Sequence, residues 1–398
     1  MNLEFSPEEI AFRDEVRTFI EENYPKELKG KGNREDLSKE EFLAWHQILG
    51  EKGWSVPSWP VEYGGTGWTP TQKYIWSEEN ARADTIMPLP FGVAMVGPVI
   101  YTFGNEEQKA KHLPGIRNGT VWWSQGYSEP GAGSDLAGLK TTAVRDGDHY
   151  VINGQKTWTT LAQHGDWGFF LCRTDPTAKK KQEGISFILV DMNSPGLEVK
   201  PIITVDGGHE VNEVWLTDVR VPVENLIGEE NKGWTYAKFL LQHERSGIAG
   251  VARSKRGIER LREIAANQLD NGKPLLENKD FADKISQLEI DLTALEFTEL
   301  RSLAGESAGK GPGLESSLLK IKGTEIQQRL TELVLEAAGN YGSPYFRGFP
   351  EEGGNTFPIG PEFAHQAAPT YFNMRKTSIY GGSNEIQRNI IAKAVLGL

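Results

Sequence analysis

The runs Tyr150-Val151-Ile152-Asn153-Gly154, Phe169-Phe170-Leu171-Cys172, Ile185-Ser186-Phe187-Ile188-Leu189-Val190, Val214-Trp215-Leu216 and Val219-Arg220-Val221 decide the architecture. They are short, rich in β-branched and aromatic residues, and separated by turn signals such as Asp146-Gly147-Asp148, which is the texture of strands. No helix-length periodic segment lies between them, so the alternation that builds a parallel sheet is missing. Residues 121–228 are therefore predicted to form a compact antiparallel, barrel-like β-domain.

Working outward, residues 1–120 read as helical. Ser6-Pro7-Glu8-Glu9 supplies a capping serine, a proline at the first helical position and a glutamate three residues after the cap. Phe12, Val16, Phe19 and Ile20 follow at the spacing of one buried helical face. A Gly/Pro-rich interval from Ser58 to Trp68 interrupts, and helix resumes until Gly115. Beyond the β-domain, residues 229–398 are helical again, with Ile285, Leu288, Leu292 and Leu295 at spacings of three, four and three. Lys310-Gly311-Pro312-Gly313 breaks the series, Ala337 to Pro369 reads as a structured loop, and a last helix covers Asn384 to Val395. The expected fold is α+β and multidomain: helices, β-domain, helices.

Composition narrows the function. The 398 residues carry a net charge of −12, which argues against sequence-independent nucleic-acid binding and against docking on anionic lipid. One cysteine, Cys172, excludes an internal disulfide. No stretch approaches the ~18–20 apolar residues of a membrane span, and Met1-Asn2-Leu3-Glu4-Phe5 lacks the regions of a signal peptide, so a cytoplasmic location is expected. The histidines include no pair within five residues and one cysteine cannot build a zinc cluster, so no metal is expected. Gly305-Glu306-Ser307-Ala308-Gly309 matches a nucleophile-elbow string but ends a helical segment instead of following a strand, and a helix terminus is the better reading. Gly131-Ala132-Gly133-Ser134-Asp135-Leu136 lacks the third glycine of a dinucleotide fingerprint.

The densest region is Trp122 to Thr160. It holds Gln125-Gly126-Tyr127-Ser128-Glu129-Pro130-Gly131-Ala132-Gly133-Ser134-Asp135 and then Gly154-Gln155-Lys156-Thr157-Trp158-Thr159-Thr160. Glycines let the chain approach a planar or anionic ligand, and Ser128, Ser134, Thr159 and Thr160 offer short hydroxyls. Trp158 would wall one face of a ring; the alternative is a tight turn and a core tryptophan.

These two strings resemble the flavin-binding signatures of the acyl-CoA dehydrogenase family. The similarity extends through Gly104-Asn105-Glu106-Glu107-Gln108-Lys109, Glu213 to Pro222 and Tyr380 to Arg388, and is closest to the large subunits of its pimeloyl-CoA dehydrogenase branch. It implies a helical domain, a β-barrel-like domain and a C-terminal four-helix bundle. It also implies FAD, with an acyl-CoA thioester oxidised to a trans-2-enoyl-CoA and electrons passed to an electron-transfer flavoprotein or similar acceptor. By residue matching, Gln125, Tyr127, Ser128, Gly133 and Ser134 lie along the flavin pyrimidine and ribityl chain, and Ser134 also touches the pantetheine. Trp158, Thr159 and Thr160 cover the other side near N5. Ser383 and Glu385 complete the cofactor set, and Arg245, Tyr380 and Gly381 join Ser134 at the substrate.

The base departs from the best-known pattern. The medium- and short-chain enzymes carry it in Tyr-Glu-Gly-Thr, where this chain has Tyr380-Gly381-Gly382-Ser383. A second family arrangement places it in a Glu-Arg pair after the β-domain, here Gln242-His243-Glu244-Arg245, so Glu244 is the expected catalytic base. The backbone N–H at 381 would still hold the thioester carbonyl. Family homotetramers anchor a neighbour's flavin with Arg-x-x-Phe-Gly and a Gln-containing string. These match Gln268-Leu269-Asp270-Asn271-Gly272 and Glu336-Ala337-Ala338-Gly339, which have lost the arginine, the phenylalanine and the glutamine. The resemblance thus points to an α2β2 hetero-oligomer before a homo-oligomer. It leaves two other functions open, a non-catalytic pairing subunit and a relative of the flavin monooxygenase or nitroalkane oxidase type. The acyl group, expected to be medium-chain or dicarboxyl, has one polar candidate contact in Asp206-Gly207-Gly208-His209-Glu210.

Overall fold

A computed structural model describes residues 5–31, 37–307, 313, 315–345 and 359–397, without the side chains of 242–248, 306 and 307. The N-terminal helices are α1 (Pro7–Asn23), α2 (Lys39–Lys52), α3 (Pro70–Arg82), α4 (Gly97–Phe103) and α5 (Glu106–Arg117). Ser6, Ser38, Thr69 and Asn105 each close a capping box at the start of α1, α2, α3 and α5, and each such cap contributes about 1 kcal/mol. Phe12, Val16 and Ile20 are buried as the spacing predicts, together with Trp45, Trp54 and Trp76; Phe19 is half-buried against Trp45 and Trp54. Helix α5 runs past Pro114-Gly115 to Arg117, two residues beyond the expected end. A π-helical turn, Phe91–Val96, leads directly into α4.

The central sheet has strands β1 (Trp123–Gly126), β2 (Thr142–Asp146), β3 (His149–Thr160), β4 (Trp167–Arg173), β5 (Ile185–Asp191), β6 (Leu197–Ile202) and β7 (Val211–Pro222). Their order is β1-β4-β2-β3-β7-β6, with β5 added on β4. Pairing is antiparallel except that β4 lies parallel to β1 and touches β2 in parallel at one position. Strand β7 joins two runs that look separate in sequence. Its middle, Thr217-Asp218, is polar because Asp218 sits at φ +50° in a bulge, where Asn153 reads it: Asn153 Nδ2 donates to Asp218 Oδ1 at 3.0 Å and Asp218 N to Asn153 Oδ1 at 2.9 Å.

The C-terminal helices are α6 (Gly233–Ile248), α7 (Val251–Asn267), α8 (Lys279–Ser307), α9 (Glu315–Ala338), α10 (Glu362–His365), α11 (Ala367–Met374) and α12 (Asn384–Ile391). Ile285, Leu288, Leu292 and Leu295 are all buried, against Ile258, Leu261, Leu319, Ile326 and Leu333. The expected loop 337–369 contains α10 and the start of α11, and its residues 346–358 lie outside the described ones. Helix α9 is the spine, packing on α6, α7, α8, α11 and α12. Gly323 lets it approach the α6–α7 junction so closely that a Cβ would strike the backbone of Ala249, whose carbonyl also accepts from Gln327 Nε2 at 3.1 Å. Gly305-Glu306-Ser307 ends the 29-residue α8, and Ala308-Gly309 lie outside the described residues. No helix among the described residues is long and apolar enough to cross a membrane.

Candidate active site

Two arms of the β-domain come together. The first leaves β1 as Tyr127-Ser128-Glu129 and turns back where the backbones of Glu129 and Ala132 exchange two 3.0 Å hydrogen bonds. Its glycines do different work. A Cβ at Gly126 would collide with the ring of Phe170, so that glycine serves packing. A Cβ at Gly131 or Gly133 would meet nothing within 4 Å, so these two face open space. Gln125 and Ser128 are half-buried, Tyr127 is buried and Ser134 is exposed.

The second arm is the end of β3. Its register against β7 slips between Lys156 and Thr159, and at that slip Trp158 adopts φ +60°, a conformation costing a non-glycine residue roughly 1–2 kcal/mol. Trp158 is 59% exposed, so the core reading of this tryptophan fails. Next to it the Thr159 hydroxyl is buried without a hydrogen-bond partner, and Thr160 is half-buried. Thr157 N donates to Ser128 O at 2.9 Å and joins the arms.

Beneath that junction lies an ion pair that the sequence reading missed. Lys156 is fully buried and its Nζ donates to Glu129 Oε1 at 2.8 Å, Leu171 O at 2.7 Å and Tyr127 O at 3.3 Å. Glu129 also accepts from Lys140 N at 2.6 Å and Thr141 N at 2.9 Å. Burial acts to raise the Glu129 carboxyl, but the Lys156 charge and these hydrogen bonds outweigh it and hold the group below the usual carboxylate range. The signal was present: Ile152 and Lys156 fall on one face of a strand, and a lysine on an inward face requires a buried partner.

The C-terminal segment reaches the second arm through a polar clasp. Asn373 Nδ2 donates to Glu210 Oε2 at 3.1 Å and Asp206 Oδ2 at 3.3 Å, and Lys376 pairs with Glu210. Glu210 O accepts from Leu161 N at 2.7 Å, and Asn212 Nδ2 donates to Thr159 O at 3.1 Å. Asp206 and Glu210, candidates for a polar acyl end, are thus engaged inside the protein. Tyr380 is exposed, and Gly381 and Gly382 are both left-handed, at φ +64° and +78°. Gln387 holds this turn, donating to Gly382 O at 3.2 Å and Gly381 O at 3.3 Å while accepting from Ser317 Oγ at 2.8 Å. Ser383 caps α12 and Glu385 lies exposed on its first turn, where its own backbone N–H and the Ser383 side chain lower its carboxyl. Glu244 and Arg245 lie on α6, with side chains outside the described residues. Helix α6 packs on β4, β5 and α9, and α12 packs on the same α9, so one spine backs both the Glu244 and the Gly381 segments. Of the anchoring strings, Gln268 to Gly272 supplies the first strand and the turn of a hairpin in which Leu269–Asp270 pair with Lys273–Pro274, and Glu336 pairs with Lys284 within the chain.

An open glycine face, an exposed aromatic wall and an unsatisfied buried hydroxyl are what a planar, hydrogen-bonding ring system requires, and the comparisons with known proteins agree. Residues 6–120, 124–219 and 231–396 match the models of the acyl-CoA dehydrogenase N-terminal, middle and C-terminal domains. This chain belongs to the acyl-CoA dehydrogenase family. Among its relatives is acyl-CoA dehydrogenase IpdE1 of Mycobacterium tuberculosis, 36% identical over 396 residues, 97% of each chain. Among solved structures, the Tcur3481-Tcur3483 steroid ACAD superposes with a TM-score of 0.85 at 34% identity, covering 100% of this chain and 99% of that one. The ChsE4-ChsE5 complex from Mycobacterium tuberculosis does so at 0.84 and 32%, with the same coverage. The chain is accordingly an FAD-dependent oxidoreductase of the acyl-CoA dehydrogenase type.

Proposed function

We propose that the protein catalyses α,β-dehydrogenation of an acyl-CoA thioester to the trans-2-enoyl-CoA, with Glu244 removing the α-proton. The observation that carries this reading is the cradle formed by the two arms, with Trp158 turned outward beside the unpartnered Thr159 hydroxyl. Gln125, Tyr127, Ser128, Gly133, Ser134, Trp158, Thr159, Thr160, Ser383 and Glu385 are the residues assigned to FAD, which supplies the acceptor for the hydride from Cβ. Ser134, Arg245, Tyr380 and Gly381 are assigned to the substrate, the Gly381 N–H polarising the thioester carbonyl. Substrate binding expels water from around Glu244, which strengthens that carboxylate as a base. Glu244→Gln should abolish bleaching of the flavin when acyl-CoA is added anaerobically. Bleaching at near the native rate in that variant would remove Glu244 from the role.

The departures in the anchoring strings support an α2β2 assembly in which a second polypeptide completes the flavin site, and one of the similar solved structures is a complex, ChsE4-ChsE5. Exposed Ile290 and Phe297 on α8 and Leu318 on α9 offer apolar contact for such a partner. Electrons leave to an electron-transfer flavoprotein or similar acceptor. Medium-chain and dicarboxyl acyl-CoAs are the first substrate class; the likeness to a steroid ACAD favours a steroid-bearing acyl-CoA as a second. Rates across a panel of the three discriminate them.

A further inference from the structure

Two consecutive glycines, both left-handed, form the turn Gly381-Gly382 between exposed Tyr380 and the start of α12. Glycine permits this conformation but does nothing to hold it. A backbone N–H aimed at developing charge has to be fixed before the reaction, so the stiffness must come from the surroundings. It comes from a buried polar seam between α9 and α12. Ser317, Lys320 and Thr324 follow at spacings of three and four along one face of α9, Asn384 and Gln387 meet them from α12, and all five are buried. Lys320 Nζ donates to Asn384 Oδ1 at 2.8 Å, Asn384 Nδ2 to Thr324 Oγ1 at 3.2 Å, and Thr324 Oγ1 to Lys320 O at 2.9 Å, which closes a ring of contacts. Ser317 binds Gln387, whose amide grips both glycine carbonyls. Helix α9 thus fixes the turn at its carbonyls and at the residue two places beyond it.

Stability does not explain the lysine. Lys320 is fully buried, and a buried ammonium costs more than an apolar side chain of like size. Its partner Asn384 is the first residue of α12, where the helix dipole disfavours a cation. What the charge adds is a strong, directional hydrogen bond that sets the register of α12 on α9. We infer that Lys320 is a positioning residue: acting through Asn384, it holds the Gly381–Gly382 turn in the shape in which the Gly381 N–H meets the thioester oxygen. The inference rests on the reading above in one respect, that the thioester carbonyl is held at Gly381.

The test compares the native holoprotein with Lys320→Met and with Lys320→Met/Asn384→Leu, in which the seam turns apolar without leaving the asparagine unpaired. Hydrogen exchange without substrate reads the turn directly: amides of residues 380–384 should exchange on the order of tenfold faster in both variants, while those of α8 keep their native rates. The double variant should recover the thermal midpoint that the single one loses. Neither should recover turnover. With octanoyl-CoA, or whichever of the three substrate classes the native protein oxidises fastest, kcat should fall on the order of tenfold with KM little changed. The carbonyl stretch of the bound enoyl-CoA product should move toward its value in water. Native exchange at the turn in both variants overturns the inference, and so does a native kcat and carbonyl stretch in the double variant; bleaching of the native flavin by acyl-CoA then leaves the dehydrogenase reading standing. If exchange responds while no acyl-CoA of the three classes bleaches the native flavin, the hold of Lys320 on the turn stands and the dehydrogenase reading falls.

Discussion

Replacing Lys156 by methionine keeps the length of the side chain and removes its charge. The consequence can be worked from its partners. Glu129 is left as a buried carboxylate still receiving two backbone N–H groups, and the carbonyls of Leu171 and Tyr127 lose a charged donor. Breaking a buried pair from one side costs about 3–5 kcal/mol, a large part of the ~5–15 kcal/mol that stabilises a typical protein. The urea midpoint should fall accordingly, and FAD should be retained poorly even well below the unfolding range, because the pair lies under the junction of the two arms. Adding Glu129→Leu should recover part of the loss, since the stranded charge is gone; the double-mutant cycle should show coupling of roughly 2 kcal/mol.

The pH response gives a second signature. In the native protein Glu129 is held low, so its contribution is present above the unfolded carboxylate range and lost as pH falls through the folded value. Without Lys156, burial is opposed only by the two backbone N–H groups, so the folded value rises from its native position. The stability that the native carboxylate adds above the unfolded range therefore shrinks, and the gap in stability between native protein and variant should narrow with a measurable slope as pH falls through that range. A variant with the native midpoint, native FAD retention and no such slope would refute the reasoning.

Two further outcomes are expected. Gly382→Ala places a Cβ at φ +78° and 2.6 Å from Gln387 Nε2, so Gln387 must release the Gly381–Gly382 carbonyls; turnover should drop at least tenfold with FAD content unchanged, as read by steady-state rates and absorbance. His46 and His112 are pushed by burial to about 4, below the value of 6.5 in the unfolded chain, so the unfolded state binds more protons between those limits and stability should fall as pH drops from 6.5 toward 4. Each contributes about 3 kcal/mol at most by that shift, and His112→Phe should flatten the urea midpoint against pH.

Much of this fold is legible in the sequence because local chemistry and tertiary structure agree. Ser6-Pro7-Glu8-Glu9 starts a helix as its caps require, and the 285–295 spacing gives a buried face. The missed strands β1, β2 and β6 are short or polar: Leu197–Ile202 has no buried residue, and Thr142–Asp146 turns three charged or exposed positions to solvent. The end of β3 was invisible because Trp158 leaves the regular register, which no alternation pattern encodes. The site was legible as motif, not as mechanics. The inward position of Lys156 signals that a buried partner is needed but not which one, and nothing local to Ser317 or Gln387 announces a partner tens of residues away; such pairings exist only once the elements are packed.

The clasp of Asn373 and Lys376 on Asp206 and Glu210 ties the C-terminal segment to the strand that carries Trp158. Tyr380 N donates to Lys376 O at 3.2 Å, Lys376 grips Glu210, and Glu210 carries the backbone of Leu161, three residues past Trp158. Three contacts in series therefore join the C-terminal turn to the segment that follows the aromatic wall, ending at the buried Leu161. Tyr380 at the surface and Trp158 at the cradle are thus the two ends of one largely polar connection.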